Sequence, residues 1–287
     1  MTADAGPSLY DRCAQDAAAA VIATYSTSFA LACRLLGPRV RTHVRSIYAL
    51  VRIADEVVDG AADRGGLPPQ TQRLLLDELE AETLTAMARG FSTNLIVHAF
   101  ALAARECGIG HELVRPFFSS MRTDLTRTRH DDASHDDYVY GSAEVVGLMC
   151  LQVFVNAGRS EAITPAPALV DGARRLGAAF QDVNFLRDRA DDETRLGRDY
   201  LGVQAGRHDR SAVLDRIDAD LDAAATVIPD LPADCRRAVT TAHGLFAELA
   251  RRLREDDSTT RVSVPSSVKA SIAARALAGR PPKRSDA

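Results

Sequence analysis

The chain predicts an all-α protein, and three observations carry that expectation. Ala, Leu and Arg, all good helix formers, dominate throughout its 287 residues. Clustered β-branched and aromatic runs that alternate with period two are scarce. Strong breakers such as Gly37-Pro38 and Pro68-Pro69 separate stretches of helical length. With 46% hydrophobic and 26% charged residues, the composition supports one domain over 1–287, its core spanning about 8–279 between short disordered termini.

The expected elements follow in order. A first helix runs from about Ser8 to Leu36, breaks near Ser26 and ends at Gly37-Pro38. A second covers about Arg39 to Asp59, and a Gly/Pro-rich loop follows from Gly60 to Pro69. Helices are expected over about Gln70–Arg89, from Ser92 to near Gly108, and over His111–Thr126. Thr128 to Asp132 is polar and loop-like, and Ser134 to Asn156 reads as one long helix, apolar from Val145 onward. After a connection come Pro167–Asp191, an irregular Leu196–Arg210, and helices over about Ser211–Ala225, Pro232–Arg254 and Pro265–Ala278.

Composition also excludes several functions. A net charge of −4, with no basic block except the short Arg280–Arg284 tail, argues against nucleic-acid binding. Five cysteines without zinc-ligand or CxxC spacing read as free thiols in a reducing cytoplasm. Met1 to Pro7 lacks the pattern of a signal peptide, and the weakly charged Ala17–Cys33 reads as a buried helix. A cytoplasmic protein is expected, with peripheral contact at the inner face of the membrane left open. His43 and His98 lie in helical patterns without HxxxH or HExxH, so they read as packed or solvated. No GxGxxG or Walker loop occurs.

The chemistry lies in two aspartate pairs. Asp55 and Asp59, and far along the chain Asp188 and Asp192, are each spaced i,i+4, which puts both carboxylates of a pair on one helix face. Such pairs usually form a solvated face. Here Ile47, Leu50, Val51, Ile53, Val57 and Val58 surround the first, and Phe180, Val183, Phe185 and Leu186 precede the second. Inward-facing carboxylates follow, and crowded carboxylates call for a hard cation such as Mg²⁺. An arginine accompanies each pair, Arg52 and Arg187, which suits a clamp on diphosphate. Asp124 reads equally well as a cavity or a surface carboxylate.

The segments Ser26–Phe29, Tyr48–Asp59, Tyr138–Gly147, Gln181–Asp192 and Gly197–Leu201 together resemble the squalene/phytoene synthase family, in order and spacing, from about Tyr25 to Ala278. The wording is closest to actinobacterial phytoene synthases. The resemblance implies a single-domain isoprenoid synthase bundle around a central cavity. It implies Mg²⁺-dependent, with Mn²⁺ as a substitute, head-to-head joining of two prenyl diphosphates. Asp55, Asp59, Asp188 and Asp192, with Asn184, would bind the metal. Tyr48, Arg52, Arg187 and Arg261 would grip diphosphate. Ser26, Ser28 and Phe29 would line one substrate channel, and Tyr138, Gln181 and Tyr200 would lie near the reacting carbons.

The expected reaction takes two geranylgeranyl diphosphates to phytoene through a cyclopropyl diphosphate, with no nicotinamide cofactor. Squalene or dehydrosqualene synthesis from farnesyl diphosphate is the near rival, and prenylation of an aromatic acceptor the more distant one. A binding subunit with degraded catalysis would have lost a carboxylate, and all four are present. Monomer and homodimer are both compatible. Departures from the family pattern are Thr27 at a place where some members have a basic residue, Tyr25 for a frequent His, Glu144 for Gly, Gly202 for Pro, and a shortened Asp256–Arg261 stretch.

Overall fold

Ser8 opens helix α1 (Leu9–Tyr25) with a reciprocal cap: its hydroxyl accepts from the Asp11 N–H, and the Asp11 side chain accepts from the Ser8 N–H. Ser26 then breaks the chain. Its backbone is extended, and its hydroxyl caps α2 (Thr27–Arg34) by accepting from the Phe29 N–H at 3.1 Å. Pro38 at the first position of α3 (Pro38–Val58) supplies a fixed φ where no N–H is needed. These features come from a computed structural model that describes residues 6–127, 131–191, 199–201, 209–255 and 261–282.

A short helix, α4 (Ala61–Arg64), interrupts the loop expected after Asp59. Then follow α5 (Pro69–Arg89), α6 (Leu95–Cys107) and α7 (His111–Asp124). The expected single helix over Ser134–Asn156 is three pieces: α8 (Asp132–Val139), a π-helical turn (Tyr140–Glu144) and α9 (Val145–Asn156). Next come α10 (Pro167–Asp191), α11 (Arg210–Val227), α12 (Ala233–Glu255) and α13 (Ser266–Leu277). No β-strand occurs among the described residues, and the all-α expectation holds.

The π-turn has a visible cause. α7 carries Pro116 inside it, and a Cβ on Gly141 would lie 2.4 Å from the Pro116 carbonyl and 2.1 Å from Ser120 Oγ. Only glycine permits this approach, so α7 and the widened turn interlock. A continuous apolar run hides such a defect, because hydrophobic spacing changes little across one extra residue.

Two apolar clusters organise the packing. One centres on α3, α6, α7 and α9, with Ile47, Leu50, Phe100, Phe117, Phe118 and Met149 essentially inaccessible. The other joins α10, α11 and α12 through Val183, Ile217, Leu221, Leu245 and Phe246. Arg39 fastens the two halves. It pairs with Asp234 at 2.9 Å and donates to the carbonyls of Phe154 and Ala157. One stretch, Ala133–Asn156, is long and apolar enough to cross a membrane by length and composition, and it packs here against α7 and α10.

Candidate active site

Between the two clusters lies a cavity of about 1420 Å³. Asp55 and Asp59 line it from the end of α3, and Asn184, Arg187 and Asp188 line it from α10. Distant sequence segments thus contribute to one site, as their pattern predicts. Asp59 is not inside its helix: it is the capping residue past Val58, with φ −125°. Asp192 lies outside the described residues, as do Gly197, Arg198, Gly202, residues 128–130, residues 256–260 and the basic tail from Lys283.

Charge at the mouth is balanced by arginine. Arg52 pairs with Asp55 at 2.7 Å and with Glu56. Its guanidinium also lies 4.4 Å from the ring centre of Tyr25, so the tyrosine at the frequent-histidine position serves as a cation–π face. Glu56 does not line the cavity; it accepts from the Ala61 N–H at 2.8 Å and shapes the turn into α4. Asp188 accepts from Arg187 Nε at 3.0 Å and from Arg261 Nε at 2.7 Å. Burial pushes the Asp188 carboxyl up, but these two arginines outweigh it and hold it below the usual range. Arg261, across the shortened stretch, therefore reaches the second aspartate motif.

The rest of the wall is aromatic, then aliphatic. Tyr138, Phe185 and Tyr200 form one group, with Phe185 and Tyr200 stacked at 4.2 Å and 11°. Phe29 faces Tyr48 at 6.2 Å and Phe180 at 6.1 Å on another side. Gln181 lines the cavity as well. Val146, Cys150, Phe154, Leu176, Val227 and Ala242 add an apolar wall. Burial pushes the Cys150 thiol to about 12, so it stays neutral.

Ser26 and Ser28 depart from expectation, since neither lines the cavity and only Phe29 of that motif does. Ser26 works one layer back, capping α2, because the helix break turns its side chain along the backbone.

Three lining or neighbouring residues escaped the sequence reading, and a fourth stayed open. Arg64 reaches the mouth from α4, which was expected to be loop. Lys269 on α13 donates to Thr27 Oγ1 at 3.0 Å, bringing a cation to the position that lacks a basic residue. Ser142 lines the cavity with a buried hydroxyl that has no protein partner. Asp124, left undecided, is 6% exposed and accepts from the hydroxyls of Tyr138 (2.7 Å) and Tyr200 (2.9 Å). Chain spacing alone signals none of these contacts. Glu144 pairs with Arg174 at 2.6 Å and ties the π-turn to α10, which gives that unusual residue a packing role.

The donor chemistry suits a hard divalent cation. The carboxylates of Asp55, Asp59 and Asp188 and the Asn184 amide offer oxygen ligands, and no histidine lines the cavity among the described residues.

Residues 22–271 match the family model described as squalene/phytoene synthase. The chain is 29% identical over 266 residues to a phytoene synthase of Pseudescherichia vulneris, covering 83% of this chain and 82% of the relative. It is 33% identical over 207 residues to the chloroplastic phytoene synthase 1 of Arabidopsis thaliana; that match covers 70% of this chain but only 45% of the plant protein. Among solved structures, a dehydrosqualene synthase in complex with a ligand superposes with a TM-score of 0.77 at 21% identity, covering 94% of this chain and 97% of the other. At that identity the likeness speaks for the fold.

Proposed function

The chain belongs to the squalene/phytoene synthase family, and from that premise we propose that it is a prenyltransferase that joins two molecules of geranylgeranyl diphosphate head to head. The product would be phytoene, formed through a cyclopropyl diphosphate. One observation carries the reading: Asp55 and Asp59 at the end of α3 and Asn184 and Asp188 of α10 line a single cavity whose remaining wall is mostly apolar.

Mg²⁺ held by Asp55, Asp59, Asn184 and Asp188, with Asp192 beside them in sequence, would supply the charge neutralisation that lets diphosphate depart. The chain's own groups do the rest. Arg187, Arg261 and Arg52 would exchange carboxylate partners for diphosphate oxygens, and Arg52 Nε is a buried donor without a protein acceptor. Lys269 and Arg64 add positive charge at the rim. Positive charge then develops on the allylic carbons. The faces of Tyr138, Phe185 and Tyr200 stabilise it, and the aliphatic pocket keeps water away until rearrangement is complete.

A cavity of about 1420 Å³ has room for two prenyl chains. Thirty-carbon synthesis from farnesyl diphosphate is the second reading. Incubation with each diphosphate and mass identification of the lipid product separates them.

A further inference from the structure

Asp124 ends α7, and the same face of that helix holds Tyr138 twice. Pro116, Ser120 and Asp124 follow one another at four-residue spacing. Ser120 Oγ donates to the Tyr138 carbonyl at 3.1 Å, and the Tyr138 hydroxyl donates to Asp124 Oδ2 at 2.7 Å. Gly141, next to the π-turn's start, is locked against Pro116 and Ser120. The tyrosine is thus fixed at backbone and at hydroxyl by one rigid face. Tyr200, from a different part of the chain, donates to the other carboxylate oxygen at 2.9 Å. The two rings lie 5.3 Å apart with Phe185 against both.

We propose that Asp124 is a positioning residue for the prenyl-transfer reaction, holding Tyr138 and Tyr200 as one unit against the carbons that become cationic. The proposal rests on the prenyltransferase reading above. Each phenol donates to the carboxylate, and both tyrosines line the cavity. A buried carboxylate behind two aromatic rings raises the negative potential where positive charge must grow, in a site of low dielectric. Burial together with the Asp124 charge keeps the Tyr138 phenol protonated far above the usual tyrosine range. The interaction strengthens as charge develops, so it acts on turnover more than on substrate binding.

The test compares wild type with Asp124→Asn, Tyr138→Phe and the double variant, all with geranylgeranyl diphosphate and Mg²⁺. Asn can accept from only one phenol and presents N–H to the other. Each single variant is expected to lose kcat at least about tenfold with KM changed less than about twofold, and the double to fall little below the worse single. A cyclopropyl diphosphate or hydroxylated products should accumulate, a partition that general loosening would not produce. An Asp124→Asn enzyme within about twofold of wild-type kcat, or losses that multiply in the double variant, would overturn the proposal. Tyr200→Phe, which leaves the carboxylate in place, serves if Asp124→Asn fails to fold: a lowered kcat at constant KM supports the unit, and an unchanged kcat overturns it.

A second readout is independent of activity. The chain has six tyrosines and no tryptophan, so its near-ultraviolet spectrum reports phenols directly. Loss of a carboxylate acceptor should shift tyrosine absorption to shorter wavelength in Asp124→Asn. No shift sinks the proposed hydrogen-bonded unit. Wild type that shows the shift on mutation but forms no hydrocarbon sinks the functional reading instead.

Discussion

Asp188→Asn separates chemistry from stability at the site. Asp188 accepts from Arg187 and Arg261, and its side chain is 27% exposed. The amide keeps an oxygen acceptor, so one arginine retains a partner. Partly exposed pairs contribute about 0–1 kcal/mol, which corresponds to a melting shift of roughly 2–4 °C at most for a chain this size. The expected kinetic cost is much larger. A unit charge removed about 4 Å from a cation, at an effective dielectric near 20, is worth about 4 kcal/mol. That is roughly a thousandfold in rate. The assay measures hydrocarbon formation across a Mg²⁺ titration beside thermal melting of both proteins. The expected result is a rate near background, a raised Mg²⁺ requirement and a nearly unchanged melting temperature. A kcat/KM within about threefold of wild type would refute the metal-binding role, and equal losses of activity and fold would make Asp188 structural.

Other outcomes follow from individual contacts. Lys269→Met should raise KM for the diphosphate severalfold and change melting little, because Lys269 is a half-buried cation beside Thr27; an unaltered KM would remove it from the substrate rim. Gly141→Ala should cost about 3 kcal/mol or more, since the added methyl meets the Pro116 carbonyl and Ser120 Oγ; a two-state denaturation curve matching wild type would contradict that interlock. Asp234 has its carboxyl held below the ordinary aspartate value of 3.8 by the hydrogen bond from Arg39, against a smaller opposing effect of burial. Its stabilisation is therefore complete above that ordinary value and lost as pH falls through the lower folded one. The melting gap between wild type and Asp234→Asn should close on acidification below about pH 3.8, and a gap that persists would refute the linkage.

What the sequence made legible depended on periodicity and punctuation. Ser26 between two helical runs and Gly37-Pro38 read correctly, because a cap and a fixed φ act locally. Asp55, Asp59 and Asp188 line the cavity, the side that the apolar neighbours on each helix favour. The π-turn did not, since Val145 to Val155 looks continuous whether or not one turn upstream is widened. Asp124 stayed ambiguous because its partners come from residues 14 and 76 positions away. Lys269 was invisible for a similar reason: α13 must fold back before it meets Thr27, a separation of 242 residues. Ser26 was placed in the right region but in the wrong role, since a helix cap and a channel wall draw on the same residue types.

Product identity tests the central claim most directly. Purified protein with Mg²⁺ would be given geranylgeranyl or farnesyl diphosphate, with and without NADPH, and its lipid products identified by mass. The account expects a forty-carbon hydrocarbon from geranylgeranyl diphosphate without reductant. A thirty-carbon product from farnesyl diphosphate alone, or no hydrocarbon from folded protein, would contradict it.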